Sequence, residues 1–445
     1  MNRDLTQGGV TRAMLLFAAP MILGNLLQQG YNIADTWIVG HYLGPDALAA
    51  VGSSFSLMTF LTSILLGLCM GCGALFSIHF GRRDERALSE SIGASFLLIA
   101  VLTGVLTLLS FLLLNAFGTL MNVPDAVWGY MRRYLAVIFL GIPATFLFNY
   151  FASLLRALGN ATVPLIFLAC SAVLNIALDL LLILAFDAGV GGAAAATVIA
   201  QYLSGLSLML YTYLRFPALR IRAEHLHPRL ALLRTVISFS GLTCLQQSVM
   251  NLGILMVQGR VNAFGATVMT AFAAAVKIDA FAYMPVQDFG NAFSTFIAQN
   301  YGAGRSDRIR RGFRSAVTVS VLFSLAVSAA VCIFAEPLMT LFVEKTEVGI
   351  LYEGVRYLRI EGAFYFGIGL LFLLYGLYRA VAKPWMSVVL TVISLGTRVL
   401  LAYTLSAIPA VGVVGIWWSV PIGWILADLT GFAVYYVLRK TKRIL

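Results

Sequence analysis

The sequence predicts an all-α polytopic membrane protein, with twelve transmembrane helices in two pseudo-symmetric six-helix bundles. Three observations carry that prediction. Of the 445 residues, 60% are hydrophobic and only 11% charged, and the mean hydropathy is +0.90; soluble domains carry about 25% charged residues. Apolar runs long enough to span a bilayer recur twelve times along the chain. The second six of these runs repeat the first six.

The spans fall at 13–38, 48–80, 91–116, 131–155, 163–186 and 190–214, then at 235–259, 266–299, 315–335, 355–378, 385–408 and 412–438. The first contains Pro20 and shows no small-x-small cleavage site, so it reads as a retained span rather than a signal peptide. The longest linker, 215–234, is basic and separates an N-terminal bundle (1–214) from a C-terminal bundle (235–445). Pro20, Pro143, Pro164, Pro285 and Pro421 mark kinks or helix starts.

Loop charge sets the orientation. With the N-terminus inside, 22 of the 30 Lys and Arg lie on the inner side and 6 on the outer, while Lys277 and Arg398 lie within spans. The positive-inside rule then places both termini in the cytoplasm, in a multi-pass protein of the inner membrane. Arg132, Arg133, Arg356 and Arg359 sit on the outer side and are expected either to snorkel to headgroups or to lie on short surface helices. The net charge of +11 needs no nucleic-acid partner. The expected partners are membrane lipid and small organic molecules, with the chain as a monomer.

Cysteines and histidines suggest no metal or redox centre. Cys69 and Cys72 form a CxxC, but no second pair or neighbouring histidine accompanies it. Small residues at a helix-packing surface are the better reading. His41, His79, His225 and His227 fall at helix ends or in loops. No cofactor is expected.

The repeat is read by offset. Shifted by 223 residues, Tyr134 meets Tyr357, Arg156 meets Arg379, Gly189 meets Gly412 and Gly192 meets Gly415. Earlier in each half the offset is 221, so that Gly44 meets Gly265 and Phe80-Gly81 meets Tyr301-Gly302. Six spans per half is an even number, so the repeats are parallel, and the binding region is expected between the halves.

Polar residues stand out against this apolar background. In span one Asn25, Gln28 or Gln29, Asn32 and Asp35 recur at steps of three and four, which aligns them on one helix face. A carboxylate deep in such a helix costs about 2.5–3.5 kcal/mol on the lenient insertion scale. Span five carries Ser171, Asn175 and Asp179 at steps of four, and span six carries Thr197. Asp35, Asn175, Asp179 and Thr197 are hard oxygen donors suited to Na⁺, and the carboxylates can equally hold a proton. By offset they map to Met256, Arg398, Ala402 and Val420, so the scaffold is expected to be duplicated but the ion site is not.

Other polar residues are assigned more loosely. Tyr31, Asn149 and Tyr134, with Asn25, Gln28, Gln29 and Asn32, are candidates for the N-terminal wall of a substrate cavity. Gln246, Gln247, Asn251 and Asn291 are candidates for the C-terminal wall. Lys277 and Asp279 are two apart and cannot pair simply; Asp288 shares their span. Asp428 is expected to neutralise Arg398.

At FAAP, ADTWIVGHYLG, FGRRDE and QNYGAGRSD the sequence resembles the multidrug and toxic compound extrusion family, and the likeness covers nearly the whole chain. The resemblance implies export by alternating access, driven by a proton or sodium gradient. The archaeal-type and DNA-damage-inducible-type branches of the family place an N-lobe cation site on residues that are here Asp35, Asn175, Asp179 and Thr197, with Tyr134 nearby. The other main branch adds a carboxylate in span seven, where this chain has only Gln246, Gln247 and Asn251.

The expected function is therefore an antiporter, not an enzyme, that exports amphipathic or cationic drugs or toxic organic compounds in exchange for H⁺ or Na⁺, with span one bending near Pro20. A lipid-linked oligosaccharide flippase of the same superfamily is the alternative, but it would want a basic central cavity. A polytopic transferase would need a His, Asp or Ser constellation near one membrane face, and none stands out.

Overall fold

The computed structural model describes residues 4–120, 125–221 and 228–441. Arg222, His225 and His227 of the linker lie outside the described residues, as do Arg3, Lys442 and Arg443. Among the described residues every regular element is helical. The first half contains α1 (Val10–Leu43), α2 (Pro45–Arg82), α3 (Glu85–Leu112), α4 (Val127–Ala157), α5 (Thr162–Ala185) and α6 (Gly189–Arg215). The second half contains α7 (Leu230–Asn262), α8 (Ala266–Gly302), α9 (Ser306–Ile333), α10 (Val348–Gly362 and Tyr365–Ala380), α11 (Pro384–Leu405) and α12 (Val414–Lys440).

Ten of these are long and apolar enough to cross a membrane, and α10 crosses as a pair bent by 50°. The twelfth, α7, is long enough at 33 residues, but Thr243, Gln246, Gln247 and Asn251 make it less apolar. Twelve spans fit this set. Helices suit the setting because each satisfies its own backbone hydrogen bonds where no water is available.

The duplication read from the sequence reappears in the backbone. Positive φ occurs at Gly44 (87°) and Gly265 (94°), at Gly159 (82°) and Ala382 (59°), and at Gly189 (57°) and Gly412 (55°). Each pair is equivalent under the offsets above. A 3-10 turn interrupts α4 at Phe139–Gly141, and the bend in α10 falls at the equivalent place, between Gly362 and Tyr365. Pro45 and Pro384 open α2 and α11, where a missing N–H costs nothing.

Two compact units divide the chain: Met1–Asp4 with Ala19–Cys244, and Leu5–Ala18 with Leu245–Leu445. The chain changes unit inside α1, between Ala18 and Ala19, and inside α7, after Cys244. In the first unit α2 packs on α3 and α4, and α6 packs on α4 and α5. The α2 face is cut back to glycine where it meets the first turns of α7: a Cβ on Gly67 would lie 2.6 Å from Cys244 Cα, and one on Gly71 would strike the Phe239 carbonyl. Cys69 and Cys72 are buried and unpaired on this same helix. Among the described residues no third His, Cys, Asp or Glu joins this CxxC in a group that could hold a metal ion. In the second unit α8 packs on α9 and α10, and α11 on α12.

The Gly159/Ala382 pair offers a test of the backbone geometry. A non-glycine residue in the left-handed region costs about 1–2 kcal/mol. Ala382→Gly is expected to be neutral to stabilising by up to about 1 kcal/mol, because relief of strain is offset by unfolded-state entropy. Gly159→Ala is expected to destabilise by about 1–2 kcal/mol. Thermal denaturation of the purified variants reads both.

Candidate functional site

The site in the first unit begins with two helical spacings. On α5, Asn175 and Asp179 are one turn apart and face inward, 3% and 0% exposed. On α1, Asp35 reaches the same place, and the Asp35 and Asp179 carboxyl groups lie within hydrogen-bonding reach of each other. Asn175 Nδ2 donates to Thr197 Oγ1 at 3.3 Å, and Thr197 Oγ1 donates to the Ala193 carbonyl at 3.2 Å. Four residues from α1, α5 and α6 therefore converge. Immediately after Asp179 the α5 backbone widens into a π-helical turn, Leu181–Ala185, a feature frequent at functional sites.

The oxygens at this point are short of donors. Asp35 Oδ1, both carboxylate oxygens of Asp179 and Asn175 Oδ1 are all buried without a hydrogen-bond partner. Among the described residues no Lys, Arg or His forms an ion pair with either carboxylate. Two unit charges at about 4 Å repel by about 4 kcal/mol at an effective dielectric constant of about 20, so the arrangement calls for a proton or a cation. The residues present fit either: the oxygens are hard donors of the kind Na⁺ prefers, and a single proton shared between two carboxylates would remove the repulsion.

Two tyrosines complete the surroundings. Tyr134, 8% exposed on α4, lies within electrostatic reach of Asp35, Asp179 and Tyr31. Tyr31 lies beside Gln28 and close to both carboxylates. Tyr31, a candidate for the cavity wall, stands one helical turn before Asp35. Ser171 shares the helix face but donates to the Ala200 carbonyl at 3.0 Å and ties α5 to α6.

The remaining wall candidates are distributed over both units. In the first, Gln28 is exposed and Asn25, Gln29 and Asn32 are half-buried on α1, with Asn32 Nδ2 donating to Gln29 Oε1 at 3.3 Å. Asn149 Nδ2 is committed to the Thr145 carbonyl at 2.8 Å. In the second unit Gln246 is buried, while Gln247 and Asn251 are half-buried. Asn291 Oδ1 accepts from the Arg379 guanidinium at 3.1 Å.

The second unit holds a charged cluster that the repeat reading missed. Asp279 on α8 (2% exposed) and Glu361 on α10 (4%) are buried with Tyr357 and Tyr365. The Tyr365 hydroxyl donates to Asp279 Oδ1, and the Tyr357 hydroxyl lies beside both carboxyl groups. Asp279 Oδ2, Glu361 Oε2 and Arg398 Nε have no hydrogen-bond partner. This corrects two expectations. The C-terminal half is not apolar at this level: it carries a carboxylate pair of its own, on residues that are not repeat-equivalent to Asp35 and Asp179. Arg398 lies within electrostatic reach of Asp279 and Glu361, whereas Asp428, 7% exposed, keeps an unpartnered Oδ1 and has no ion pair. Lys277 points elsewhere, over the Phe342 ring at 5.9 Å. The sequence did hold a signal for Glu361, which lies one turn after Tyr357, the repeat partner of Tyr134.

The comparisons with known proteins agree with this architecture. The MatE family profile matches residues 20–181 and 240–404, covering most of both halves. The probable multidrug resistance protein YpnP of Bacillus subtilis is 27% identical over 391 residues, 88% of this chain and 87% of that protein. YoeA of the same organism, also a probable multidrug resistance protein, is 27% identical over 452 residues, 100% of this chain and 97% of that one. Among solved structures, a MOP superfamily transporter from Pyrococcus furiosus superposes with a TM-score of 0.90 at 22% identity, covering 98% of this chain and 97% of that chain. With two helical units and the family profile running through both, the chain belongs to the MATE family of multidrug efflux transporters.

Proposed function

We propose that the chain is a secondary antiporter of the cytoplasmic membrane, with both termini in the cytoplasm. It exports amphipathic or cationic organic compounds in exchange for H⁺ or Na⁺. The observation that carries this reading is the donor-starved carboxylate pair: Asp179 is fully buried and neither of its oxygens has a hydrogen-bond partner, and Asp35 Oδ1 beside it has none either. A ligand shifts a conformational equilibrium only by its differential affinity for the two states. A pair of like charges that is relieved when occupied and repelled when empty supplies such a difference.

In this scheme Asp35 and Asp179 take up the ion. Asn175 Oδ1 supplies a further oxygen, and Thr197 fixes the Asn175 side chain through its Nδ2. Tyr134 and Tyr31 offer hydroxyls at the edge of the pair. Occupation joins α1 to α5 and α6; release lets α1 relax, with Pro20 as the weak point because it lacks the N–H for the carbonyl four residues earlier. The transport reaction forms no covalent intermediate and needs no cofactor, so the chain acts as a carrier and not as an enzyme.

Dye export from proteoliposomes, with pH and Na⁺ gradients imposed separately, tests the reading. Asp35→Asn and Asp179→Asn are each expected to slow gradient-driven export at least about tenfold, equivalent to about 1.4 kcal/mol on the barrier. Wild-type rates in both variants, at equal amounts of protein, would sink the coupling assignment.

The two ions predict different behaviour for Thr197→Val. Loss of the hydroxyl that holds the Asn175 amide, and with it the Asn175 oxygen, in an Na⁺ site raises the Na⁺ concentration for half-maximal export. A proton on the carboxylates is much less sensitive to the same change. Export driven by neither gradient would overturn antiport altogether.

A further inference from the structure

The QNYGAGRSD stretch, residues 299–307, and the arginine that follows it have no part in the ion site, yet they hold the N-terminal tail by five long-range hydrogen bonds among the described residues. Gln299 and Asn300, in the last turn of α8, are both 0% exposed, and so is Leu5. The Leu5 N–H donates to Gln299 Oε1 at 3.1 Å, and Asn300 Nδ2 donates to the Leu5 carbonyl at 3.2 Å.

Arg308, in the first turn of α9, does more. Its Nη1 donates to the Gly8 carbonyl at 2.7 Å, and its Nη2 donates to the Leu5 and Gln7 carbonyls, each at 3.0 Å. Its Nε is held by Asn300 Oδ1 at 3.0 Å, and the guanidinium lies over the Phe296 ring at 5.6 Å. A non-helical tail has no internal partners for its carbonyls. Here one guanidinium, with its fixed fork of donors, meets three of them.

This tail leads directly into α1. Gly8 turns at φ 70°, α1 begins at Val10, and Thr11 Oγ1 and Ser315 Oγ are hydrogen-bonded at 2.6 Å. Met14, Phe17 and Ala18 are buried, and Leu5–Ala18 belong to the second unit. From Ala19 the same helix belongs to the first unit and carries Asp35. Pro20 lies two residues after Ala18. A helix free at its start would answer a change at Asp35 by sliding or turning about its own axis. With its start fixed, that change is concentrated at the Pro20 weak point.

We propose that Gln299, Asn300 and Arg308 are positioning residues for export, forming a clamp on Leu5–Gly8 that holds the start of α1 still while its far end responds to the ion. The proposal rests on the assignment of coupling to Asp35 and Asp179. It gives the clamp a role in turnover, not in substrate recognition. A lysine at 308 keeps the charge but can meet the three carbonyls only in part, so it should act as a partial substitute.

The test uses the full-length chain in liposomes, with four variants beside the parent: Arg308→Ala, Arg308→Lys, a deletion of residues 2–8, and the deletion combined with Arg308→Ala. If the clamp works by holding the tail, Arg308→Ala and the deletion each lower the maximal export rate about fivefold, with the half-saturating dye concentration unchanged. The combined variant is then no worse than either alone, and Arg308→Lys falls between parent and alanine. The deletion keeps the proposal falsifiable if Arg308→Ala fails to fold, since it leaves the α8–α9 junction intact. A parental maximal rate in the deletion overturns the clamp, as does a second, additive loss when the two changes are combined. Asp179→Asn in the same liposomes separates the two readings. If it is inactive while Arg308→Ala runs at the parental rate, only the clamp falls. If it is fully active, the coupling assignment and the clamp built on it fall together.

Discussion

Repulsion between two carboxylates that share a dry place between helices is the interaction on which the rest of the first unit depends. Asp35 and Asp179 have no donor of their own, and α1, α5 and α6 offer no cation to neutralise them. Buried polar groups without partners cost about 1–3 kcal/mol each, and more when charged. A bound cation or proton would relieve that cost, which is why the pair carries the proposed coupling. The features around the pair hold it in place: Thr197 orients the Asn175 amide, Ser171 fastens α5 to α6, and the π-turn after Asp179 sets the end of α5 apart from a regular helix.

Such a site is only as well placed as the helices that carry it, and hydrocarbon supplies no hydrophobic force to hold helices together. Close backbone approach takes its place. Gly205 on α6 leaves room for the Ala144 carbonyl of α4, where a Cβ would lie 3.1 Å away, and in the second unit Gly376 on α10 leaves room for the Gly290 carbonyl of α8, at 2.7 Å. Gly67 and Gly71 do the same for α2 against the start of α7. Substitutions at these positions would act through helix spacing.

Much of this was legible in the chain because membrane spans write themselves in composition. Their number, the duplication and the alignment of Asn175 with Asp179 all follow from hydropathy, offset and the i, i+4 rule. The nearness of Asp35 to Asp179, on a helix far away in sequence, was given only by the family resemblance and not by spacing. The cluster around Glu361 was harder to read: its one signal, the spacing from Tyr357, is masked because Glu361 lies in a stretch with Glu353, Arg356 and Arg359 that reads as an interfacial helix. Its partners are remote as well: Tyr365 and Asp279 are 86 residues apart. The expected Arg398–Asp428 pairing failed for a related reason. Consecutive spans α11 and α12 do pack together, but adjacency does not determine which faces meet, and Arg398 lies within electrostatic reach of Asp279 and Glu361 instead.

The two carboxylate pairs, each within its own unit, differ in how much compensation the protein itself supplies. Tyr134 and Tyr357 occupy equivalent positions, one beside each pair, so duplication preserved the tyrosine. Asn175 and Arg398 are equivalent too, and there the copies part. Two ionised carboxylates give the first site a formal charge of −2. The second, with the Arg398 guanidinium within electrostatic reach, has a net charge of −1. It also holds a phenol hydroxyl bonded directly to one carboxylate, a donor that Asp35 and Asp179 lack. A mobile cation gains most where the protein supplies neither a fixed positive charge nor a donor. A fixed guanidinium also opposes a second cation at short range. One substitution at a repeat-equivalent position, amide to guanidinium, thus leaves the first pair without a fixed countercharge while the second carries much of its own compensation. That difference is why the proposed coupling is placed on the helix that carries Asp35.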